Sequence, residues 1–145
     1  MLIHFDEETY QATIQAFQSL PLAAVVNGEY FCVHGGISSR LQSLKSVNQI
    51  ERFQEPGDEE NLFNDLLWAD PMKMKETFNH SEKPNDRGIS VLFGWAVLEA
   101  FLEANKLRAL VRAHEQKDDG FKLHMWRGES DDPPCITIFS APNYC

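Results

Sequence analysis

Two histidines and one arginine are the residues best suited to chemistry in this chain of 145 residues. His34 and His114 each follow a short apolar run, and Arg87 lies between an aspartate and a glycine. A neutral imidazole at the end of a strand can bind a metal through one ring nitrogen, and the planar fork of an arginine matches two phosphate oxygens at once. Taken singly, each residue also has an ordinary explanation: a hydrogen-bonded histidine at a strand edge, or a surface arginine in an ion pair.

Three further features could complete a site around these residues. Gly35 and Gly36 follow His34, and two glycines permit a sharp turn and a close approach of the backbone to a ligand. Asp70 comes directly after an apolar run; it could orient a ligand histidine, or it could simply stop a helix before a proline. Tyr144 could face a substrate, or it could belong to a proline turn that leaves the sheet.

Helices and strands are predicted to alternate around these residues. Apolar periodicity predicts helices that begin after Asp6, near Leu62 and at Trp95. Short apolar runs predict strands over residues 22–26, 30–33, 89–93, 107–113, 121–126 and 135–139. Asn27-Gly28 predicts a tight hairpin turn, whereas the polar residues 72–85 predict a loop.

Three of the predicted strands end in polar residues, which indicates where a site would lie. They are followed by His34, by His114, and by Asn143 with Tyr144. Ligands of sheet proteins bind beyond strand ends, on loops that a rigid scaffold holds. The sequence therefore predicts a site at the ends of these strands.

Composition narrows the classes of partner and compartment. The chain has 13 Lys and Arg against 22 Asp and Glu, a formal net charge of −9, which argues against nucleic acid or an anionic membrane as a partner. Its 3 cysteines show no CxxC spacing, so we expect reduced thiols in the cytoplasm or nucleus. The acidic first residues do not predict a signal peptide, and no apolar run approaches the ~20 residues of a membrane span.

Five motifs, in the order in which they occur, resemble the phosphoprotein phosphatase family of serine/threonine protein phosphatases. They are Phe31-Cys-Val-His-Gly-Gly-Ile-Ser, Leu66-Leu-Trp-Ala-Asp-Pro, Asn85-Asp-Arg-Gly-Ile-Ser, Arg112-Ala-His-Glu and Ile138-Phe-Ser-Ala-Pro-Asn-Tyr. The segments 52–56 and 136–144 are most similar to the calcineurin branch, whereas Cys145 is more similar to other branches. The resemblance extends over nearly the whole chain from Leu20 onward.

The resemblance implies a fold and an activity. The fold is α/β: the chain would be the C-terminal half of a metallophosphatase domain, a β-sandwich flanked by helices in the order α-β-β-α. The activity is hydrolysis of phosphoserine and phosphothreonine in proteins by a metal-activated hydroxide at a dinuclear site. Phosphoproteins would be the substrates, and regulatory protein subunits would be further partners.

The resemblance also implies a role for each candidate residue. His34 and His114 would be ligands of one of two adjacent divalent metal ions, drawn from manganese, iron or zinc. Arg87 and Asp70 would be catalytic, with Arg87 contacting the substrate phosphate and Asp70 lying behind the metal ligands. Tyr144 would line the groove in which the substrate lies.

Part of the family's site has no counterpart in residues 1–145. The GDxHG, GDxVDRG and GNHE motifs, which carry the other metal ligands, a second arginine and the general acid of the family, do not occur in this sequence. Two neutral imidazoles cannot hold two dications close together, because no anionic ligand offsets the repulsion. We therefore expect residues 1–145 to be a partial domain that is inactive alone. A pseudophosphatase fragment that binds proteins without catalysis is the alternative, and a small-molecule metallophosphoesterase fits the segments 68–71 and 140–144 less well.

Overall fold

Helices and strands alternate along the chain and form two β-sheets. The computed structural model describes residues 5–126 and 132–144. Within these residues the helices are α1 (Glu7–Gln18), α2 (Leu44–Val47), α3 (Leu62–Trp68), α4 (Met74–Thr77) and α5 (Trp95–Asn105). The strands are β1 (Ala23–Val26), β2 (Tyr30–Val33), β3 (Asp70–Pro71), β4 (Glu82–Pro84), β5 (Val91–Phe93), β6 (Ala109–Arg112), β7 (Phe121–His124) and β8 (Cys135–Ile138). The predicted α/β class is confirmed.

The larger sheet brings three strand ends to one edge. Its strand order is β1-β2-β6-β8-β7, and the smaller sheet has the order β3-β5-β4. Strands β2, β6 and β8 run parallel, while β1 and β7 pair antiparallel at the two sides. Because the carboxyl ends of parallel strands meet at the same edge, the segments that follow Val33, Arg112 and Ile138 leave the sheet side by side.

One face of the larger sheet carries the core. Phe31 and Leu110 project from its strands and are buried against Phe93 of the smaller sheet and Leu98 and Phe101 of α5. The rings of Phe31 and Phe101 meet edge to face with their centroids 5.1 Å apart. Each such side chain stabilises the fold by about 1.5–3 kcal/mol through burial. This packing fixes β2 and β6, and therefore the residues that follow them.

The other face of the larger sheet is apolar and open. The strand registers place one residue from every strand in a single row across it: Ala24, Cys32, Val111, Ile136 and Leu123. Leu123, Ile138 and Phe121 on this face are 42%, 44% and 54% exposed. We call these seven residues the open sheet face.

The local predictions that rest on capping and turn chemistry are confirmed. Asp6 caps α1 by accepting a hydrogen bond from the backbone N–H of Thr9 at 2.8 Å. Asn27 and Gly28 have φ values of 54° and 71°, as a tight hairpin turn between β1 and β2 requires. The apolar stripe of α1 is less buried than its periodicity indicates, since Phe17 is 63% exposed and lines a cavity of about 620 Å³ beside His34 and Trp68.

The predicted loop over residues 72–85 is wrong in part. The short helix α4 lies within it, and Glu82–Pro84 form β4, which pairs antiparallel with β5. This strand is polar and short, so it exists because β5 offers it a partner and not because of its own composition.

Cys32 and Cys135 are free thiols, and Cys145 lies outside the described residues. In the part of the chain that the structure describes, we find no helix with the length and apolar character needed to cross a membrane.

Candidate metal and phosphate site

The structure brings His34 and His114 together although 80 residues separate them in the chain. His34 follows β2 directly, His114 follows β6 by two residues, and these strands are neighbours with Val33 opposite Arg112. The Nε2 atom of His34 and the Nδ1 atom of His114 lie 3.2 Å apart. His114 has a φ of 63°, a left-handed conformation that is uncommon outside glycine and that is found more often at functional sites.

Both imidazoles are held in the neutral form that metal binding requires. Loss of solvent around the ring lowers the pKa of His114 to about 4, and the positive charge of Arg112 adds to this effect. Partial loss of solvent and the same arginine also lower the pKa of His34. The Nε2 atom of His114 is buried without a hydrogen-bond partner among the described residues, and its ring meets Trp68 edge to face. Nδ1 is therefore the nitrogen that faces His34.

The distance between the two nitrogens fits one shared metal ion. Two nitrogens that each lie about 2.1 Å from one ion, at the usual coordination angles, are roughly 3.0–3.4 Å apart. Across residues 5–126 and 132–144, no group of three or more His, Cys, Asp or Glu side chains is arranged to hold a metal. The described part of the chain thus offers two neutral ligands for one ion, and no carboxylate that would join a second ion to it.

Asp70 lies between two arginines. Its Oδ1 accepts a hydrogen bond from Nη2 of Arg112 at 2.7 Å, and its Oδ2 accepts from Nε of Arg87 at 2.7 Å and from Nδ2 of Asn85 at 3.0 Å. Burial by itself would raise the pKa of Asp70, but the hydrogen bonds from Asn85 and Arg87 and the charge of Arg112 outweigh it and lower the pKa. Asp70 is therefore an anion whose described hydrogen bonds go to these three residues and not to a histidine.

Arg87 is anchored at one end and open at the other. A turn closed by hydrogen bonds from the Arg87 N–H to Oδ1 of Asn85 and from the Gly88 N–H to the carbonyl of Asn85, both 3.0 Å, presents the side chain. The side chain is 41% exposed, and its Nε is bound to Asp70. No described residue accepts a hydrogen bond from the two Nη groups of Arg87. These groups are therefore available for an anionic ligand such as a phosphate.

Arg112 is a functional candidate to which the motif pattern assigned no role. Its side chain is 0% exposed and donates to Asp70, to the carbonyl of Ala69 at 3.1 Å, to the carbonyl of Gly35 and to Glu115 at 2.9 Å. It therefore connects the residue after His34 with the carboxylate that holds Arg87. The available signal was a charged residue at the end of an otherwise apolar strand, because a charge in that position must be paired when it is buried.

Gly35 and Gly36 allow the backbone after His34 to pack closely against neighbouring residues of the chain. A Cβ at Gly35 would overlap the backbone of Leu67 and Trp68, and one at Gly36 would overlap the ring of Phe93. Neither glycine has a positive φ, and the chain bends at His34 and Gly35. The glycines let the chain after His34 lie directly on the end of α3, where the Gly35 N–H donates to the carbonyl of Leu66 at 2.8 Å.

Tyr144 lies beyond β8, at the sheet edge that also carries the two histidines. It is 59% exposed, and its ring packs edge to face on Phe139 with the centroids 5.1 Å apart. Of the five predicted site residues, the structure joins His34 to His114 and Arg87 to Asp70, while Tyr144 contacts Phe139.

Comparison with known proteins identifies the family to which this fold belongs. The model of the calcineurin-like phosphoesterase family, Metallophos, matches residues 2–118. The chain therefore belongs to the calcineurin-like phosphoesterase family. It is 44% identical over 154 aligned positions to serine/threonine-protein phosphatase 2B catalytic subunit A1 of Saccharomyces cerevisiae, an alignment that covers 99% of this chain and 28% of that protein. It is 42% identical over 132 positions to serine/threonine-protein phosphatase 5 of Arabidopsis thaliana, covering 90% of this chain and 22% of that protein.

A solved structure shares the fold. It is a protein serine/threonine phosphatase from Saccharomyces cerevisiae with similarity to human phosphatase PP5, and it superposes with a TM-score of 0.81 at 34% identity. The match covers 97% of this chain and 41% of that one. The chain thus spans well under half the length of the relatives it matches.

Proposed function

We propose that this chain supplies His34, His114 and Arg87 to the active site of a serine/threonine protein phosphatase, as part of a larger catalytic domain. The observation that carries the proposal is the approach of Nε2 of His34 to Nδ1 of His114, 3.2 Å apart at the ends of two parallel strands. In this proposal residues 1–145 form a partial domain, and the remaining metal ligands come from residues with no counterpart in this sequence.

The chain's own residues would divide the work between metal and phosphate. His34 and His114 hold one divalent ion through neutral ring nitrogens. A pair of such ions (manganese, iron or zinc) supplies a hydroxide nucleophile and charge stabilisation in phosphoester hydrolysis. Arg87 binds the phosphoryl oxygens through its Nη groups, where a preorganised donor contributes about 2.7–4 kcal/mol to transition-state stabilisation.

Asp70 and Arg112 would preorganise these groups. The bond of 2.7 Å from Arg87 Nε to Asp70 Oδ2 leaves the guanidinium fewer orientations, so less entropy is lost when phosphate binds. Arg112 fixes the carbonyl of Gly35, the residue next to His34, and also binds Asp70. Tyr144, exposed at the same sheet edge, would line the groove for the substrate polypeptide.

The names of the relatives support the substrate class. Two curated relatives are named serine/threonine-protein phosphatases, and one is named as a catalytic subunit. Phosphoproteins are the proposed substrates of this chain's domain, and a regulatory subunit is a proposed partner. The alternative of a non-catalytic pseudophosphatase is less well supported, because the two histidines and the arginine occupy an arrangement that suits catalysis.

The experiment supplies the rest of a domain. The full chain is fused behind the segment of the yeast phosphatase 2B subunit that precedes its matching region, and hydrolysis of a phosphoserine peptide is measured with manganese. We expect turnover from the fusion and none from residues 1–145 alone. A fusion that folds and binds manganese but does not hydrolyse the peptide would contradict the proposal, as would turnover by residues 1–145 alone that His114→Ala abolishes.

A further inference from the structure

We infer that Asp65 is a positioning residue that fixes two loops of the proposed site relative to each other, the loop that begins with His34 and the loop that carries Arg87. The inference rests on the proposed function, because it assigns Asp65 a role in the same site. The histidine loop is defined as residues 34–38, and the arginine loop as residues 85–90. Asp65 lies on α3, belongs to neither loop, and has 0% exposure.

The two carboxylate oxygens of Asp65 each bind one loop. Oδ2 accepts a hydrogen bond of 2.6 Å from the hydroxyl of Ser38, the last residue of the histidine loop, which is itself 0% exposed. Oδ1 accepts a hydrogen bond of 2.7 Å from the hydroxyl of Ser90, the last residue of the arginine loop. A single buried anion thus joins segments that are 25 and 27 residues away from it in the chain.

The hydroxyl bond to Ser90 acts at a strained position that determines where Arg87 lies. Ser90 has a φ of 63°, which costs energy for any residue other than glycine unless the surroundings hold it. The carbonyl of Ser90 accepts from the N–H of Asn85 at 3.1 Å and closes the loop that carries Arg87. Without the Asp65 carboxylate, the strained conformation loses the side-chain bond that holds it.

The bond to Ser38 acts on the other loop. Ser38 ends the loop that begins with His34, Gly35 and Gly36. The start of this loop is also held by α3, because the N–H of Gly35 donates to the carbonyl of Leu66 at 2.8 Å. Arg40 neutralises the Asp65 anion from the partly exposed side at 3.1 Å. Because the carboxylate is buried and accepts from all three donors, it is a fixed point between the two loops and not a solvated surface charge.

The test compares Asp65→Ala with Asn64→Ala. Asn64 is the adjacent residue of α3, is 1% exposed, and donates to the carbonyls of Gly57 and Glu59, so its loss disturbs the same helix without touching either loop. The first readout is hydrogen exchange of peptides covering residues 34–38 and 85–90 in the full chain. Asp65→Ala should accelerate exchange in both peptides, whereas Asn64→Ala should leave both unchanged.

The second readout is phosphopeptide hydrolysis by the yeast fusion. Asp65→Ala should lower kcat about a hundredfold, the loss expected when a reacting group is displaced by roughly 1 Å. Asp65→Asn should retain most of kcat, because an amide can accept from one serine hydroxyl and donate to the other. If the unsubstituted fusion is inactive, that failure belongs to the proposed function, and the exchange comparison still decides the role of Asp65.

Three results would overturn the inference. Asp65→Ala could match Asn64→Ala in exchange, or it could match it in kcat. Asp65→Asn could also fall as far as Asp65→Ala, which would mean that charge toward Arg40 matters and the two serine bonds do not.

Discussion

Arg112 and Asp70 form an ion pair that is shielded from solvent, with Nη2 of Arg112 2.7 Å from Oδ1 of Asp70. The side chain of Arg112 is 0% exposed, and that of Asp70 is 8% exposed. Removing two charges from water is expensive, and their attraction compensates only when the remaining donors also find partners. Here Arg112 has four acceptors, which ties the end of β6 to the segments around Gly35 and Asp70.

We expect Arg112→Ala to destabilise the chain by about 3–5 kcal/mol, because it removes one partner of a buried pair. The control is Arg108→Ala, since Arg108 pairs with Asp132 in a bridge whose side chains are 49% and 55% exposed. That change should cost about 0–1 kcal/mol. Urea unfolding followed by circular dichroism measures both free energies. Equal losses in the free energy of unfolding for the two variants would show that the buried ion pair contributes no more to stability than the exposed one.

His124 gives the stability of the chain a dependence on pH. Burial lowers the pKa of His124 to about 3, and its Nε2 lies 2.8 Å from the hydroxyl of Thr137. Between an unfolded pKa of about 6.5 and this folded value, the unfolded chain binds more protons than the folded chain. The free energy of unfolding therefore falls as the pH is lowered from about 6.5 toward 3.

His124→Asn should reduce this dependence, whereas His80→Asn, at an exposed histidine, should preserve it. Chemical denaturation at a series of pH values between 7 and 4 provides the slopes. An unchanged slope in His124→Asn would refute the assignment.

The open sheet face should make the chain associate with itself when it is expressed alone. Large exposed apolar patches promote association, and Phe121, Leu123 and Ile138 all lie on this face at more than two-fifths exposure. Leu123→Lys should lower the apparent mass in sedimentation velocity, whereas Gln11→Lys on the exposed side of α1 should not. A monomer with a sharp thermal transition would argue against this expectation.

Features that depend on short-range chemistry were predictable from the sequence. The cap at Asp6, the turn at Asn27-Gly28 and the helix from Trp95 to Asn105 each depend on contacts between residues close in the chain, and all three are formed. The strand Glu82–Pro84 was not predictable, because it depends on pairing with β5 and its own residues are polar.

The two histidines of the candidate site were predictable from the sequence, whereas the buried charged residues behind them were not. His34 and His114 follow apolar strands, and parallel pairing of those strands brings them together, so strand ends were an adequate signal. The side-chain partners of Asp65, and three of the four partners of Arg112, lie 25 to 77 residues away in the chain. No local spacing records such contacts, and a charged residue in an apolar segment was the one available indication.

Manganese titration of the yeast fusion separates the proposed metal ligands from the proposed phosphate ligand, and it is the most direct test of the proposed site. His114→Ala removes a neutral ligand, so metal affinity should fall and excess manganese should restore part of the rate. Arg87→Ala should slow turnover about a hundredfold or more without change in bound metal, and manganese should not restore it. Arg87→Lys should recover little, because a point charge does not reproduce two-pronged contact. Loss of bound metal in Arg87→Ala, or full activity in either alanine variant, would contradict the assignment of these residues.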